Sequence, residues 1–430
     1  MNSPPVELSL VVSDHVLGYG SHGAVVYRGA LQGRAVAVKR LPQDFVTLTS
    51  REVSILQESG DRPNVIRYYY QEAHSNFLYI ALELCPATLA DLIETPNRDA
   101  WRDIAVAFDP KRALRQITSA LKHLHGLKLI HRDIKPQNIL VSSGAGRDEF
   151  PADVTRGMMA AGTAGWRAPE ILRGDVKLDL EEMSVGDDTS VSSQGTVNSA
   201  TSGGTAGKPT RLTKSVDIFA LGCLFYYTLT SGSHPFGDRF EREANIMKGA
   251  KNLQGLERFG EEGGEAVNLI SSMLDAEARE RPDTTTCLLH PFFWDSGRRL
   301  TFLQDASDRF EIMVREPKDP YLLGLGKGAS GIVGSDWLSR LDPLFLENLG
   351  KFRKFDGKSV QDLLRALRNK KHHYQDLAEN VKRNLGPMPE GFLAYFTRRF
   401  PRLFLHVHSV IRDTSLRSES IFRSYFDLHE

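Results

Sequence analysis

His131-Arg-Asp-Ile-Lys-Pro-Gln-Asn138 sets an aspartate, a lysine and an asparagine within one short loop. Such a trio can orient a hydroxyl, neutralise a phosphate and hold a metal ion, the three tasks of phosphoryl transfer. Upstream, Leu17-Gly-Tyr-Gly-Ser-His-Gly-Ala-Val25 spaces Gly18, Gly20 and Gly23 as GxGxxG. Glycines let a turn approach phosphate oxygens where a Cβ would clash. Dinucleotide folds use the same spacing, but here Val36-Ala-Val-Lys39 follows and puts a lysine on a strand-like run. Glu52 comes thirteen residues later on an expected helix, which suits an ion pair holding Lys39 against the α- and β-phosphates.

Ala168-Pro-Glu170, Asp217-Ile-Phe-Ala-Leu-Gly222 and Arg281-Pro282 follow in order. With these motifs the chain resembles the eukaryotic protein kinases. The resemblance implies an α+β bilobal fold that binds ATP or ADP with Mg²⁺. Asp133 and Lys135 would be catalytic, and Asn138 would hold both nucleotide and metal. Leu17, Val25, Ala37 and Leu140 would line the adenine slot beside Gly18, Gly20 and Gly23. Lys39 and Glu52 would hold phosphates, with backbone contacts near Glu83 and Cys85. Arg281 would pair with Glu170.

One part of that pattern is missing. A kinase carries Asp-Phe-Gly at the end of a short apolar strand, and its aspartate chelates the Mg²⁺ that bridges the phosphates. After Asn138 this chain runs Ile139-Leu-Val-Ser-Ser-Gly-Ala-Gly-Arg-Asp-Glu-Phe150 and then Pro151-Ala-Asp-Val154. It has no Asp-Phe-Gly, and no apolar strand precedes Asp148 or Asp153. Asp148 sits at a tolerable distance to act as a surrogate but has the wrong flanking residues, so strand and metal loop are expected to be absent, the Mg²⁺ site weakened and phosphotransfer impaired. Nucleotide binding should survive, because the glycine loop, Lys39 and the hinge remain.

The 430 residues carry 54 Lys and Arg against 54 Asp and Glu, so no global field points to nucleic acid or membrane. Cys85, Cys223 and Cys287 lie far apart, which argues against disulfide staples or structural zinc. The longest apolar run, 218–229, is too short to span a bilayer and no secretory signal opens the chain, so a soluble protein, or a soluble part of a larger one, is expected. Strand-like runs at 36–39, 65–70 and 78–84 surround one helix candidate at 49–58, and a helical pattern begins at 110–125. Residues 173–214 are rich in Ser, Thr, Gly and Asp and read as a flexible insertion. A Pro- and Gly-rich stretch at 315–334 reads as a connection.

Beyond it, Phe352-Arg-Lys-Phe-Asp-Gly-Lys-Ser-Val-Gln-Asp-Leu-Leu-Arg-Ala-Leu-Arg-Asn-Lys-Lys-His-His-Tyr374 puts Val360, Leu363, Leu364 and Leu367 on one apolar helix face. Arg365, Arg368, Asn369, His372 and His373 fall on the other side, within a local basic patch. This stretch, with His290-Pro-Phe-Phe-Trp294, Leu303-Gln-Asp-Ala-Ser-Asp-Arg-Phe310 and Tyr395-Phe-Thr-Arg-Arg-Phe-Pro401, resembles the inositol-requiring kinase/endoribonucleases. Ribonuclease L is a more distant likeness. The resemblance implies a kinase domain over 10–296 and an all-α kinase-extension ribonuclease over 297–430. His373 would be the catalytic acid, with Arg368 and Asn369 binding phosphate. The family's tyrosine, eighteen positions before that histidine, is Phe355 here, which can neither accept nor donate a proton. Implied partners are a second copy in a dimer or higher oligomer, stem-loop mRNA and adenine nucleotide. The implied place is the cytoplasmic side of the endoplasmic reticulum, tethered through a segment not visible in these residues. Two rival expectations are a nucleotide-gated scaffold and a Ser/Thr kinase with a docking extension.

Overall fold

Along Arg34–Pro42, Val36 and Val38 bury one face while Ala37, Lys39 and Leu41 take the other, the period of two that a strand requires. This strand, β3, is central to an antiparallel sheet with β1 (Leu10–Tyr19), β2 (Val25–Leu31), β4 (Tyr68–His74) and β5 (Phe77–Glu83), in the order β1-β2-β3-β5-β4. One face packs Leu31, Val36, Val38 and Ala81. The other packs Ala24, Leu41, Ile66, Leu78, Ile80 and Leu82, with Leu140 against it. The strand expected at 65–70 starts at Tyr68, three residues later.

This computed structural model describes residues 9–20, 23–42, 57–58, 62–142, 152–154, 163–177, 210–211, 213–350 and 354–428. The helix expected at 49–58 is described only at 57–58. Glu52, Asp148 and most of the insertion at 173–214 lie outside the described residues. The chain divides into two compact units, Met1–Asn252 with Ser272–Thr284 and Leu253–Ser271 with Thr285–Glu430.

In the first unit, α1 (Pro110–Gly126) starts where the Asp109 carboxylate accepts from the backbone N–H of Lys111 and Arg112. Its Ala113, Leu114, Ile117, Leu121 and Leu124 are buried at helical spacing. α2 (Ser215–Leu229) is buried almost all round. Gly222 permits that: a Cβ there would stand 2.9 Å from Met273 Cβ and 3.0 Å from Leu274 Cδ2. A small sheet joins β6 (Ala87–Thr88), β7 (Ile139–Val141) and β8 (Ala152–Val154). β8 corrects one expectation. A strand does follow the catalytic loop, with Ile139 opposite Val154 and Leu140 opposite Asp153. Backbone pairing makes it, so the apolar signature that marks such strands is not needed.

The second unit is helical, and the expected α+β class with a helical extension holds. α3 (Ser296–Glu311), α4 (Val360–His372), α5 (Glu390–Arg399) and α6 (Leu403–Arg412) close on Phe302, Phe310, Phe345, Phe392, Phe396 and Phe404. The stretch at 315–334 is not a mere connection. It forms helices Pro320–Gly326 and Ala329–Val333, which bury Leu322, Leu325, Ile332 and Val333. Five glycines, Gly324, Gly326, Gly328, Gly331 and Gly334, hid an apolar spacing that the core uses. Among the described residues, no helix is long and apolar enough to cross a membrane.

Two buried histidines lie in this core, their rings 6.5 Å apart. His290 Nδ1 accepts from the Phe292 N–H, and its Nε2 lies 3.0 Å from Asn268 Oδ1. His408 Nε2 has no hydrogen-bond partner and stands among Trp294, Phe302 and Phe404. Burial pushes His290 down to about 3, and it holds His408 well below the usual range, with His290 and Arg412 adding to that. The unfolded chain therefore takes up protons below about pH 6.5 that the folded unit refuses. Stability should be full above that pH and fall as pH drops toward 3, by up to about 1.4 kcal/mol per pH unit for each histidine. His408→Phe should flatten the slope of melting temperature between pH 7 and 5. An unchanged slope would count against burial as the cause.

Candidate active sites

The catalytic loop of the first unit is organised by a side chain from α2. Asp217 is 1% exposed, and its two oxygens accept the backbone N–H groups of His131 at 2.7 Å and Arg132 at 2.8 Å. His125 Nε2 lies 2.9 Å from the same carboxylate. Arg132 is thereby held at φ 71°, a conformation that non-glycine residues seldom adopt. Asp133 then sits among three partners. Lys135 Nζ lies 3.0 Å from its Oδ2, the Asn138 amide donates to Oδ2 at 2.8 Å, and Thr163 donates to Oδ1 at 2.6 Å. Lys135 also donates to Thr163 at 2.7 Å. In the sequence a threonine five residues before Ala168 carries no signal of its own.

Residues assigned to the nucleotide slot come together on the sheet. Val26 faces Lys39, Ala37 faces Leu82 and Lys39 faces Ile80 across the strands. Ala37 and Lys39 share the face on which Leu140 packs. Leu17 is exposed near the end of β1, Val25 opens β2, and Glu83 ends β5 two residues before the half-buried Cys85. The glycine loop closes where the Gly20 N–H donates to the Ala24 carbonyl at 2.8 Å, and Gly23 takes φ +74°. Gly18 has open space at its Cβ position. Arg281 forks onto Glu170 at 2.7 and 2.8 Å, both buried, as expected. For Mg²⁺, the Asn138 amide nitrogen faces Asp133, which turns its oxygen to the opposite side as one suitable ligand. The Asp-Phe-Gly carboxylate that would complete the set is not in the sequence.

In the second unit, Ser359 caps α4 by accepting from the Asp362 N–H, and Lys370, Lys371 and His372 occupy the last turn. Arg368 NH1 donates to Asp308 Oδ1 at 2.7 Å. Its Nε and NH2 donate to Asn369 Oδ1 at 3.2 and 3.0 Å. His373 lies just past the helix, its N–H still bonded to the Asn369 carbonyl at 3.1 Å. Its side chain is 72% exposed, with Nδ1 3.4 Å from Asp376.

The polar face expected of this helix is narrower than its sequence suggests. Arg365 and Lys370 are buried. Arg365 lies 3.1 Å from Asp362 and stacks its guanidinium 5.0 Å from the Phe355 ring, while Lys370 donates to Asn348. Phe355 also meets Trp337 edge to face at 5.9 Å. One turn away on α3, burial and neighbouring Asp308 raise the Asp305 carboxyl, which accepts from Tyr425 OH at 2.7 Å.

Two family models match the chain: the protein kinase domain over residues 11–183 and ribonuclease 2-5A over 299–426. The chain is 42% identical to the sensor for unfolded proteins in the ER ire1 of Schizosaccharomyces pombe, over 97% of its own length and 39% of that protein's. It is 43% identical to the Ser/Thr-protein kinase/endoribonuclease ireA of Aspergillus fumigatus, over 97% and 39%. With the human kinase/endoribonuclease IRE2 the identity is 40%, over 96% and 42%. The chain thus spans about two fifths of these relatives.

Asp217→Ala should lower the melting temperature of the kinase unit. It strands two backbone N–H groups at the catalytic loop, each costing roughly 1–3 kcal/mol. Scanning calorimetry of wild type and variant would read the difference, and coincident transitions would show that the carboxylate does not hold the loop.

Proposed function

The chain belongs to the family of kinase/endoribonucleases, and from that premise we propose an endoribonuclease governed by a nucleotide-binding kinase domain. The observation that carries the reading is the end of α4, where a paired Arg368 and Asn369 lie beside an exposed His373. Its substrate would be a stem-loop messenger RNA. The 2′-oxygen attacks the adjacent phosphorus, the 5′-oxygen leaves, and a cyclic phosphate remains on the upstream strand. His373 gives its proton to the departing 5′-oxygen, the general-acid role in which histidine serves most often. Arg368 and Asn369 donate to the phosphate oxygens as negative charge builds on them. Phe355 shapes the pocket only, and water accepts the proton of the 2′-hydroxyl.

In the kinase domain, over 10–296, a nucleotide would lie between Leu17, Val25, Ala37 and Leu140, its phosphates near Gly18, Gly20, Gly23 and Lys39, with Glu52 as the partner of Lys39. Backbone near Glu83 and Cys85 would read the adenine. Asp133 would receive the hydroxyl proton of a phosphate acceptor, Lys135 would neutralise the transferred group, and Asn138 would hold the metal. A kinase domain uses ATP with Mg²⁺, whose charge offsets that of the phosphates. The absent Asp-Phe-Gly argues that this site is weakened, so nucleotide serves to order the kinase domain and promote self-association more than to donate phosphate. The nuclease domain would cover 297–430. The name of the Schizosaccharomyces pombe relative, a sensor for unfolded proteins in the ER, supports a place at the endoplasmic reticulum, on whose cytoplasmic side this unit would lie.

His373→Ala should slow cleavage of a stem-loop RNA by ~10²–10⁴-fold while the protein still folds, since the side chain is exposed. Equal cleavage by a folded variant rules the acid role out. Autophosphorylation should stay near background, while ADP still raises the melting temperature by mass action. Strong incorporation of labelled phosphate that Asp133→Asn abolishes would overturn the weakened-site reading.

A further inference from the structure

α3 and α4 run antiparallel, and polar side chains cross between them at three levels. Glu311 meets Arg365 at 3.8 Å, Asp308 meets Arg368 at 2.7 Å, and Gln304 meets Lys371 and His372. Positions 304, 308 and 311 fall on one stripe of α3, as 365, 368 and 371–372 do on α4. The outer levels fasten the helices together. The middle level reaches the groups to which RNA phosphate binding is assigned above.

Arginine carries five N–H donors and no acceptor. Among the described residues, one donor of Arg368 goes to Asp308 and two go to Asn369 Oδ1. Because Arg368 only donates, the oxygen of the Asn369 amide must face it, and the amide NH₂ points the other way. The orientation of Asn369 thus depends on where the guanidinium lies. The contact between an ionised carboxylate and a guanidinium is shorter and stronger than either bond to the neutral amide. Asp308 therefore decides the position of the guanidinium, and Asn369 follows it.

We propose that Asp308 is a positioning residue for the nuclease, clamping Arg368 so that Arg368 and the amide of Asn369 present their remaining donors to one RNA phosphate. The inference rests on the endoribonuclease reading. Asp308 itself does not touch the substrate. Its side chain is 44% exposed, so substitution there should leave the fold intact.

The test uses the full chain, a stem-loop RNA substrate, and single- and multiple-turnover rates for Asp308→Asn, Asp308→Ala and Asp308→Glu, with melting curves for each. A misplaced binding pair should lower the single-turnover rate on the order of 10²-fold. KM should change little, because a stem-loop makes many other contacts, and melting should stay as in wild type. Asp308→Glu, which keeps the carboxylate, should recover part of the rate that Asp308→Ala loses. An unchanged rate in Asp308→Asn overturns the proposal. So does a faster one, which would mean that the carboxylate competes with phosphate.

A parallel His373→Ala protein separates failure of the inference from failure of the nuclease reading. If wild type and His373→Ala cut alike, or neither cuts, the nuclease reading falls. The Asp308 proposal is then decided by the Nε–H signal of Arg368 in protein labelled with ¹⁵N-arginine and bound to a stem-loop with a 2′-deoxy linkage. A signal that shifts and exchanges faster in Asp308→Asn, together with weaker binding, supports the clamp. A signal and affinity identical to wild type overturn it.

Discussion

The carboxylate of Asp217, buried in α2, gathers the backbone of His131 and Arg132 and the ring of His125 around itself. A charge withdrawn from water is tolerated only when polar partners surround it, so the loop must adopt the one shape that supplies them. That shape includes the left-handed Arg132, and it aims Asp133 at Lys135, Asn138 and Thr163. The loop motif is a set of residue types until this buried anion pins its backbone. Arg281 and Glu170 obey the same rule, each answering the other with two hydrogen bonds.

The helical unit applies the constraint to cations. Arg365 is removed from solvent and takes Asp362, Glu311 and the face of the Phe355 ring in its place. Lys370 does likewise with the backbone and side chain of Asn348. Two charges of the basic stretch therefore serve the packing of α4, and Arg368, Asn369 and His373 are left at its accessible end. A ring at 355 is needed by Trp337 and Arg365 whether or not it bears a hydroxyl. This explains how a phenylalanine stands at that place without loss of the fold.

Order along the chain made the kinase lobes legible. Glycine spacing, a lysine on a strand, the loop at 131–138 and the apolar stripe of α4 each reflect a local rule of backbone geometry or periodicity, and local rules are written in consecutive residues. Strand β8 escaped because its three residues hold their place by backbone pairing to β7, which leaves no trace in side-chain type. The helices within 315–334 escaped because glycines diluted four core residues spaced for burial.

The sequence by itself determined which chemistries each unit can attempt: a carboxylate, a lysine and an amide in one loop, and a histidine beside arginine and asparagine in one helix end. It also determined what each lacks, an Asp-Phe-Gly and a tyrosine hydroxyl. Tertiary structure alone decided which of many charged side chains face water. Asp217 reaches the loop from 86 residues away, and Asp308 reaches Arg368 from 60. Partners so distant are chosen by packing of the completed fold, since the cost of burying an unpaired charge depends on what surrounds it in space and not on what precedes it in the chain.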